Sequence, residues 1–170
     1  AHGKSQGTST NIMEFEQVLA ELYRQVGVPV GIIAHSFGGG AVLFAAMNGL
    51  PVQKLINIAS PAIGDEIIGT YLRTINGSES TARFFKSYIL KTTGKPFEEF
   101  TALHFIRNLK QEVDLLLVHD ENDTEVPLRH ALEVMKVYPR TTLYQTRGLG
   151  HTRILRDEGV IHECISFLKS

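Results

Sequence analysis

Apolar residues first recur at helical spacing and then form short continuous runs. The recurrence near the start of the chain predicts an amphipathic helix over residues 11–26. The runs at 28–34, at 53–59 and from Val113 onward are short and poor in charge, which is typical of strands buried on both faces of a parallel sheet. A fourth strand is predicted near 140–146.

Helical stretches separate these strands. We predict helices at 37–49, 127–137 and 152–168, each next to one of the predicted strands. Alternation of strands and helices predicts an α/β architecture in which about four parallel strands carry helices on both faces. Residues 1–170 are therefore expected to form a single domain.

The connection between the second and third strands is unusually long. An ordinary crossover needs far fewer residues than the insertion at 61–111 provides. Its periodic pieces predict three helices, at 63–75, 79–92 and 97–110. Aromatic residues are concentrated in this insertion and are expected to form mainly its own core; they are Tyr71, Phe84, Phe85, Tyr88, Phe97, Phe100 and Phe105.

Ser36 stands between an apolar run and three consecutive glycines. The pattern predicts a strand, a tight turn and a helix, with the Ser36 hydroxyl at the carboxyl edge of the sheet. Ala34 and Gly38 flank the serine by two residues, where we expect the strand and helix backbones to approach too closely for larger side chains. A plain helix N-cap is the simpler interpretation of this serine.

Two later loops carry residues that match a serine nucleophile. An acidic loop follows the third predicted strand, and Asp123 is its favoured acid, with Asp120 as the alternative. His151 follows a glycine-rich loop after the fourth predicted strand. Serine needs a base to remove its proton, a neutral imidazole can do this near pH 7, and a carboxylate fixes its tautomer. The backbone N–H of Phe37 is the predicted oxyanion donor.

The order Ser36, Asp123, His151 resembles that of the α/β-hydrolase fold family, in its esterase-like branch. The first residues also resemble that family's Gly-His-Gly-x-Ser loop, with Ala1 in place of the first glycine and Ser5 as its serine. The resemblance extends from residue 1 to 170 and covers the family's carboxyl-terminal two-thirds. It implies that residues 61–111 form a helical lid over the nucleophile. It also implies that the first strands and a second oxyanion donor are absent, so we expect a truncated hydrolase.

Composition narrows the partners of the chain. The net charge of −1 provides no basic surface for nucleic acid, and no apolar run is long enough to span a membrane. The single cysteine, Cys164, excludes an internal disulfide, agrees with a cytoplasmic location and falls in an apolar pattern that predicts burial. No nucleotide motif or zinc spacing is present, so we expect no cofactor and no metal.

The predicted function is a serine hydrolase that cleaves a small carboxylic ester or thioester through an acyl-enzyme. The alternatives are a catalytically inert fragment and a ligand-binding protein of the same fold. Peptidase, acyltransferase and haloperoxidase activities also remain open within the hydrolase interpretation. If the neighbouring strand is absent, the strand at 28–34 would be an exposed sheet edge, which favours a homodimer through that edge.

Overall fold

The computed structural model describes residues 10–170. Residues 1–5, which carry the Gly-His-Gly-x-Ser resemblance, lie outside the described residues.

The described residues form strands and helices in alternation. The strands are β1 (Ile32–His35), β2 (Lys54–Ile58), β3 (Asp114–Asp120) and β4 (Thr141–Thr146). The helices are α1 (Ile12–Val26), α2 (Phe37–Met47), α3 (Gly64–Ile75), α4 (Glu79–Thr93), α5 (Ala102–Arg107), α6 (Arg129–Val137), α7 (Gly150–Arg153) and α8 (Glu158–Lys169). Two 3₁₀ turns, Phe97–Phe100 and Ile154–Arg156, complete the set.

The four strands form one sheet in the order β1-β2-β3-β4, and every pair is parallel. This confirms the four-stranded parallel sheet predicted from the sequence. All four strands run in the same direction, so the residues that follow β1, β3 and β4 lie at the carboxyl-terminal end of the sheet.

Both faces of the sheet are buried. Along β3, Leu115 and Leu117 contribute to a core with α2, α5 and α6, whereas Leu116 and Val118 contribute to a second core with α8. The alternation follows the two-residue period of a strand, and it explains why β3 reads as a continuous apolar run. Cys164 on α8 is buried in the second core, as predicted, and burial raises the pKa of its thiol.

Strand β1 is shorter than the predicted strand at 28–34. Pairing begins only at Ile32, which lies opposite Leu55 of β2, and residues 28–31 lie outside the strand. Val28 and Val30 are 57% and 74% exposed, and the proline between them has no N–H to donate. Within the described residues β1 is an edge strand, and a homodimer through this edge stays a prediction.

Two predicted helices are interrupted. The stretch 97–110 divides at Thr101, whose extended backbone ends the 3₁₀ turn and whose side chain caps α5 by accepting the N–H of His104. The stretch 152–168 begins earlier, at Gly150, and divides at Asp157, whose carboxylate accepts the N–H of Val160 and so caps α8. Apolar periodicity spans both interruptions, because a single capping residue does not change it.

The insertion at 61–111 contains two kinds of helix. Helix α5 packs into the main core, where Phe105 is almost fully buried, whereas α4 has no buried residue. The aromatic side chains of the insertion divide in the same way. Phe97 and Phe105 are buried, whereas Tyr71, Phe84 and Tyr88 are more than half exposed. A lid function for this insertion stays a prediction. Within residues 10–170, no helix has the length and apolar character needed to cross a bilayer.

Helix α2 lies closest to the sheet at Gly39. A Cβ atom on Gly39 would lie 1.8 Å from Oδ1 of Asn57 and 2.5 Å from Oγ of Ser60. The close approach predicted at Gly38 is weaker, since a Cβ atom there would meet only the Cβ of Ala34 at 4.0 Å. Gly39 is therefore the glycine that the packing of the turn requires.

We expect Gly39→Ala to lower the free energy of unfolding by about 1–3 kcal/mol, because Asn57 or the helix must move to admit the methyl group. The matched control is Gly40→Ala, where a Cβ atom meets nothing within 4 Å. That control should leave stability unchanged or raise it by up to about 1 kcal/mol, since alanine favours helix. Urea unfolding followed by circular dichroism measures both variants. Equal stabilities of the two variants would contradict the packing role of Gly39.

Candidate active site

Ser36 occupies a sharp turn between β1 and α2. Its backbone angles, φ 52° and ψ −127°, lie in a region that residues with a side chain rarely adopt. Three hydrogen bonds hold the turn: Ser36 N–H donates to the carbonyl of Ile58 (2.9 Å), and the Ser36 carbonyl accepts from Ser60 Oγ (2.5 Å) and the Gly39 N–H (3.1 Å). This conformation directs the hydroxyl away from the sheet and toward α7.

His151 lies on α7 and faces Ser36. Its Nε2 atom is 3.1 Å from Ser36 Oγ, and its Nδ1 atom is 2.8 Å from Oδ2 of Asp123. Because a carboxylate can only accept, Nδ1 carries the proton and Nε2 is free to accept the Ser36 hydroxyl hydrogen. The side chains of His151 and Asp123 are 8% and 0% exposed.

Asp123 is held by the backbone that follows it. Its Oδ1 accepts the N–H groups of Glu125 (2.9 Å) and Val126 (2.8 Å), which leaves Oδ2 for His151. Buried His119 donates through Nε2 to the Val126 carbonyl (2.7 Å) and lies 3.9 Å from Asp123 Oδ2. Burial lowers the pKa of His119, so this imidazole is neutral near pH 7.

Asp120, the alternative acid, faces a different partner. Its carboxylate accepts from the Asn122 N–H (3.0 Å), the Thr146 hydroxyl (2.7 Å) and the Leu149 N–H (3.0 Å). Burial alone would raise the pKa of Asp120, but hydrogen bonds from these groups and from the Gly150 N–H lower it to about 2. Asp120 therefore fastens the loop that carries His151, while Asp123 contacts the imidazole.

His35 forms a second attachment for His151. It precedes Ser36 in β1, and its Nε2 donates to the backbone carbonyl of His151 at 2.9 Å. The two imidazole rings pack together with their centroids 4.7 Å apart. The end of the nucleophile strand is thus joined directly to the histidine loop.

Phe37, the predicted oxyanion donor, is the first residue of α2. The first N–H groups of a helix have no partner within the helix, so the Phe37 N–H belongs to a set that is open to an external acceptor. Its side chain is 48% exposed and packs edge-on against Phe15, with centroids 5.4 Å apart.

A cleft of about 190 Å³ opens beside Ser36. Its walls come from the start of the insertion, from the acidic loop and from α6; the lining residues are Ser36, Pro61, Glu66, Ile67, Thr70, Glu125, Val126, His130 and His151. None of the seven aromatic residues of the insertion lines it. Among residues 10–170, no three His, Cys, Asp or Glu side chains are arranged to hold a metal ion.

The structure brings together Ser36, Asp123 and His151, the three residues that the sequence favours. The sequence indicates no hydrogen-bonding partners for His35, His119, His130 or Ser60. The sequence offers little to distinguish these residues, because each of them bonds to backbone atoms, which carry no residue-specific signal. The one available signal is that His119 and Asp120 end a predicted strand on the same edge as Ser36.

The fold is similar to that of solved hydrolase structures. A lipase-esterase related protein from Clostridium acetobutylicum superposes with a TM-score of 0.68 and 17% identity, over 98% of this chain and 79% of that one. An esterase from Exiguobacterium antarcticum superposes with a TM-score of 0.66 and 20% identity, over 99% of this chain and 78% of that one. A meta-cleavage product hydrolase from Pseudomonas fluorescens gives 0.65 and 15% identity, over 98% and 75%.

These likenesses establish the fold. The chain has a partial α/β-hydrolase fold with four parallel strands, as the sequence resemblance predicted. At such low identities they show the fold alone, and what the neighbours act on is a property of those proteins. No protein-family model matches the sequence, and no curated protein matches it significantly.

We expect Asp120→Asn to destabilise the protein by about 2 kcal/mol near pH 7, because the amide cannot accept all the hydrogen bonds that the carboxylate accepts. The native pKa of about 2 lies below the ordinary value of 3.8. The difference in free energy of unfolding between the wild type and Asp120→Asn is therefore complete above about pH 4, and it disappears as the pH falls toward 2.

Urea unfolding at several pH values between 7 and 2 measures this difference in the free energy of unfolding. The control is Asp65→Asn, since the Asp65 carboxylate is 85% exposed and pairs with Lys86 at the surface. It should change the free energy of unfolding by less than about 1 kcal/mol. A pH-independent difference between Asp120→Asn and the wild type would contradict the assignment.

Proposed function

We propose that this chain is a serine hydrolase that cleaves a carboxylic ester or thioester through an acyl-enzyme, with Ser36, His151 and Asp123 as a catalytic triad. The observation that carries the proposal is the continuous hydrogen-bonded series from Ser36 Oγ through His151 to Asp123, with distances of 3.1 and 2.8 Å. It opens onto a cleft with room for a small acyl or alcohol group.

In the first half-reaction, Ser36 Oγ attacks the carbonyl carbon while its proton passes to His151 Nε2. The carbonyl oxygen becomes an oxyanion, and the Phe37 N–H at the start of α2 stabilises it. The bond to the leaving oxygen or sulfur then breaks, and the proton on His151 passes to that atom. The alcohol or thiol leaves, and the acyl group remains on Ser36.

In the second half-reaction, water attacks the acyl carbon and gives a proton to His151. The acyl–oxygen bond breaks, Ser36 Oγ recovers its proton from His151, and the carboxylic acid leaves. Asp123 holds the imidazole in the tautomer with Nδ1 protonated and stabilises the imidazolium formed in both halves. Its hydrogen bonds from Glu125 and Val126 keep it aligned.

The charge of the cleft supports a preference for neutral or cationic substrates. Two carboxylates, Glu66 and Glu125, line it, and no lysine or arginine is among its described lining residues. Glu66 is neutralised by Arg129, with Nε 2.7 Å from Oε1. Glu125 is 65% exposed, and its carboxylate lies 4.0 Å from His151 Nε2. A carboxylate on the substrate would therefore meet an uncompensated negative charge.

A fluorophosphonate probe should label the purified chain at Ser36, because the probe reacts with a serine hydroxyl that an adjacent imidazole activates. Mass spectrometry locates the label. We expect Ser36→Ala to abolish labelling and Asp123→Asn to slow it by about 10²–10⁴-fold, because the tautomer of His151 is then wrong.

The matched control is Ser60→Ala, which removes a nearby serine outside the hydrogen-bonded series but within reach of the turn. Ser60→Ala should keep the label at Ser36, although at a lower rate. A folded wild-type chain that takes no label would sink the proposal. It would favour the alternatives of an inert form or a ligand-binding protein of this fold.

We expect neutral short-chain esters to be hydrolysed faster than isosteric esters with a carboxylate on the acyl group. Glu125→Gln should narrow that difference by about threefold to tenfold in kcat/KM, which corresponds to a partly screened charge interaction. The control is Glu158→Gln on α8, which changes the net charge equally but lies outside the cleft. Equal selectivity in the wild type and Glu125→Gln would refute the role of Glu125.

A further inference from the structure

His130 is a buried histidine that the proposed chemistry does not use. It lies in the first turn of α6, is 2% exposed and lines the same cleft as Ser36. Its imidazole therefore touches the space that a substrate would occupy, yet it makes no hydrogen bond to Ser36, Asp123 or His151. Its hydrogen bonds run instead to the start of the insertion.

The two ring nitrogens of His130 have different partners. Nδ1 accepts the backbone N–H groups of Ala62 (2.9 Å) and Ile63 (3.1 Å). Two donors directed at one nitrogen require that Nδ1 carry no proton. The imidazole hydrogen is therefore on Nε2, which lies 3.4 Å from Oε2 of Glu66 on α3.

These contacts join α6 to the segment that leads from β2 into α3. Pro61 lies in this segment, and Ile67 and Thr70 follow on α3; all three line the cleft. Glu66 on α3 also accepts from the guanidinium of Arg129 on α6, which is a second contact between these two helices. The His130 hydrogen bonds are therefore among the contacts that attach this wall to the rest of the fold, together with the Ser60 hydrogen bond to the Ser36 carbonyl.

We propose that neutral His130 is a positioning residue that fixes the insertion wall of the cleft, and that protonation of its Nδ1 releases that wall. An added hydrogen on Nδ1 would point at two N–H donors, so the Ala62 and Ile63 amides would have to move. The inference rests on the proposed function for its kinetic consequence only, since the contacts exist whatever the cleft binds.

The charges around His130 determine when it titrates. Glu66 from α3 and Asp123 from the acidic loop favour the imidazolium, whereas Arg129 and the neighbouring His119 oppose it. Burial is the largest influence, and it lowers the pKa of His130 below its ordinary value of 6.5. The wall is therefore held fully at and above neutral pH, and the hold is lost as the pH falls below 6.5 through the native pKa.

Amide hydrogen exchange resolved by NMR tests the proposal without any need for catalysis. The measured quantity is the protection of the Ala62 and Ile63 amides relative to that of Ala59, which follows β2 and donates to the Val118 carbonyl of β3. In the wild type we expect this relative protection to fall between pH 7 and 5, after correction for intrinsic exchange. In His130→Leu the relative protection of the two amides should be about tenfold lower at pH 7, which is the order expected for two lost hydrogen bonds.

His130→Asn is the matched variant. The asparagine Oδ1 is attached to Cγ, as Nδ1 is in histidine, and has two lone pairs for the two N–H groups. It should keep most of the protection at pH 7 and lose its pH dependence, since an amide does not titrate. A merely structural contact would not produce that change, and the Asn variant and the wild type decide the matter even if His130→Leu fails to fold.

The proposal would be overturned if the relative protection of the Ala62 and Ile63 amides still depended on pH in His130→Asn. It would also be overturned if that protection were unchanged in His130→Leu. For hydrolysis of a neutral ester, we expect His130→Leu to raise KM more than it lowers kcat, and His130→Asn to restore KM toward the wild-type value. A wild-type chain that hydrolyses nothing would defeat the proposed function, but the exchange result would still stand on its own.

Discussion

The common edge at which parallel strands end is the constraint on which the rest of this structure depends. Ser36 follows β1, Asp123 follows β3 and His151 follows β4, and only a parallel register brings three such distant residues to one place. The register itself follows from burial on both faces, because a slip of one residue would exchange the two cores. Packing in the sheet interior therefore sets the geometry of polar groups at its edge.

Polar side chains that are buried or partly buried then fix the loops at the carboxyl-terminal end of the sheet. Asp120 gathers the N–H groups of the histidine loop, His35 holds the carbonyl of His151, and His130 holds the N–H groups that begin the insertion. Each of them bonds to backbone atoms of a loop and so fixes the course of that loop. A buried polar group without such a partner would cost free energy, so these loops have few alternative positions.

The turn at Ser36 shows how strain is maintained. A serine at positive φ is unfavourable by itself, and it persists because hydrogen bonds from β2 and the loop after it surround it. Gly39 makes this arrangement possible, since any side chain there would meet Asn57 and Ser60. The strained conformation keeps the Ser36 hydroxyl within reach of His151, 3.1 Å from Nε2.

Apolar periodicity predicts the strands and most of the helices, and the chain order of Ser36, an acidic loop and His151 predicts the candidate site. The sequence leaves Asp120 as an alternative to Asp123. It misplaced the start of β1 and the interruptions at Thr101 and Asp157, because edge pairing and single caps leave that periodicity unchanged. Which aspartate faces His151, and which backbone amides bond to His130, is visible only in the folded chain. Those choices depend on hydrogen bonds between residues far apart in the chain, for which the sequence carries no periodic signal.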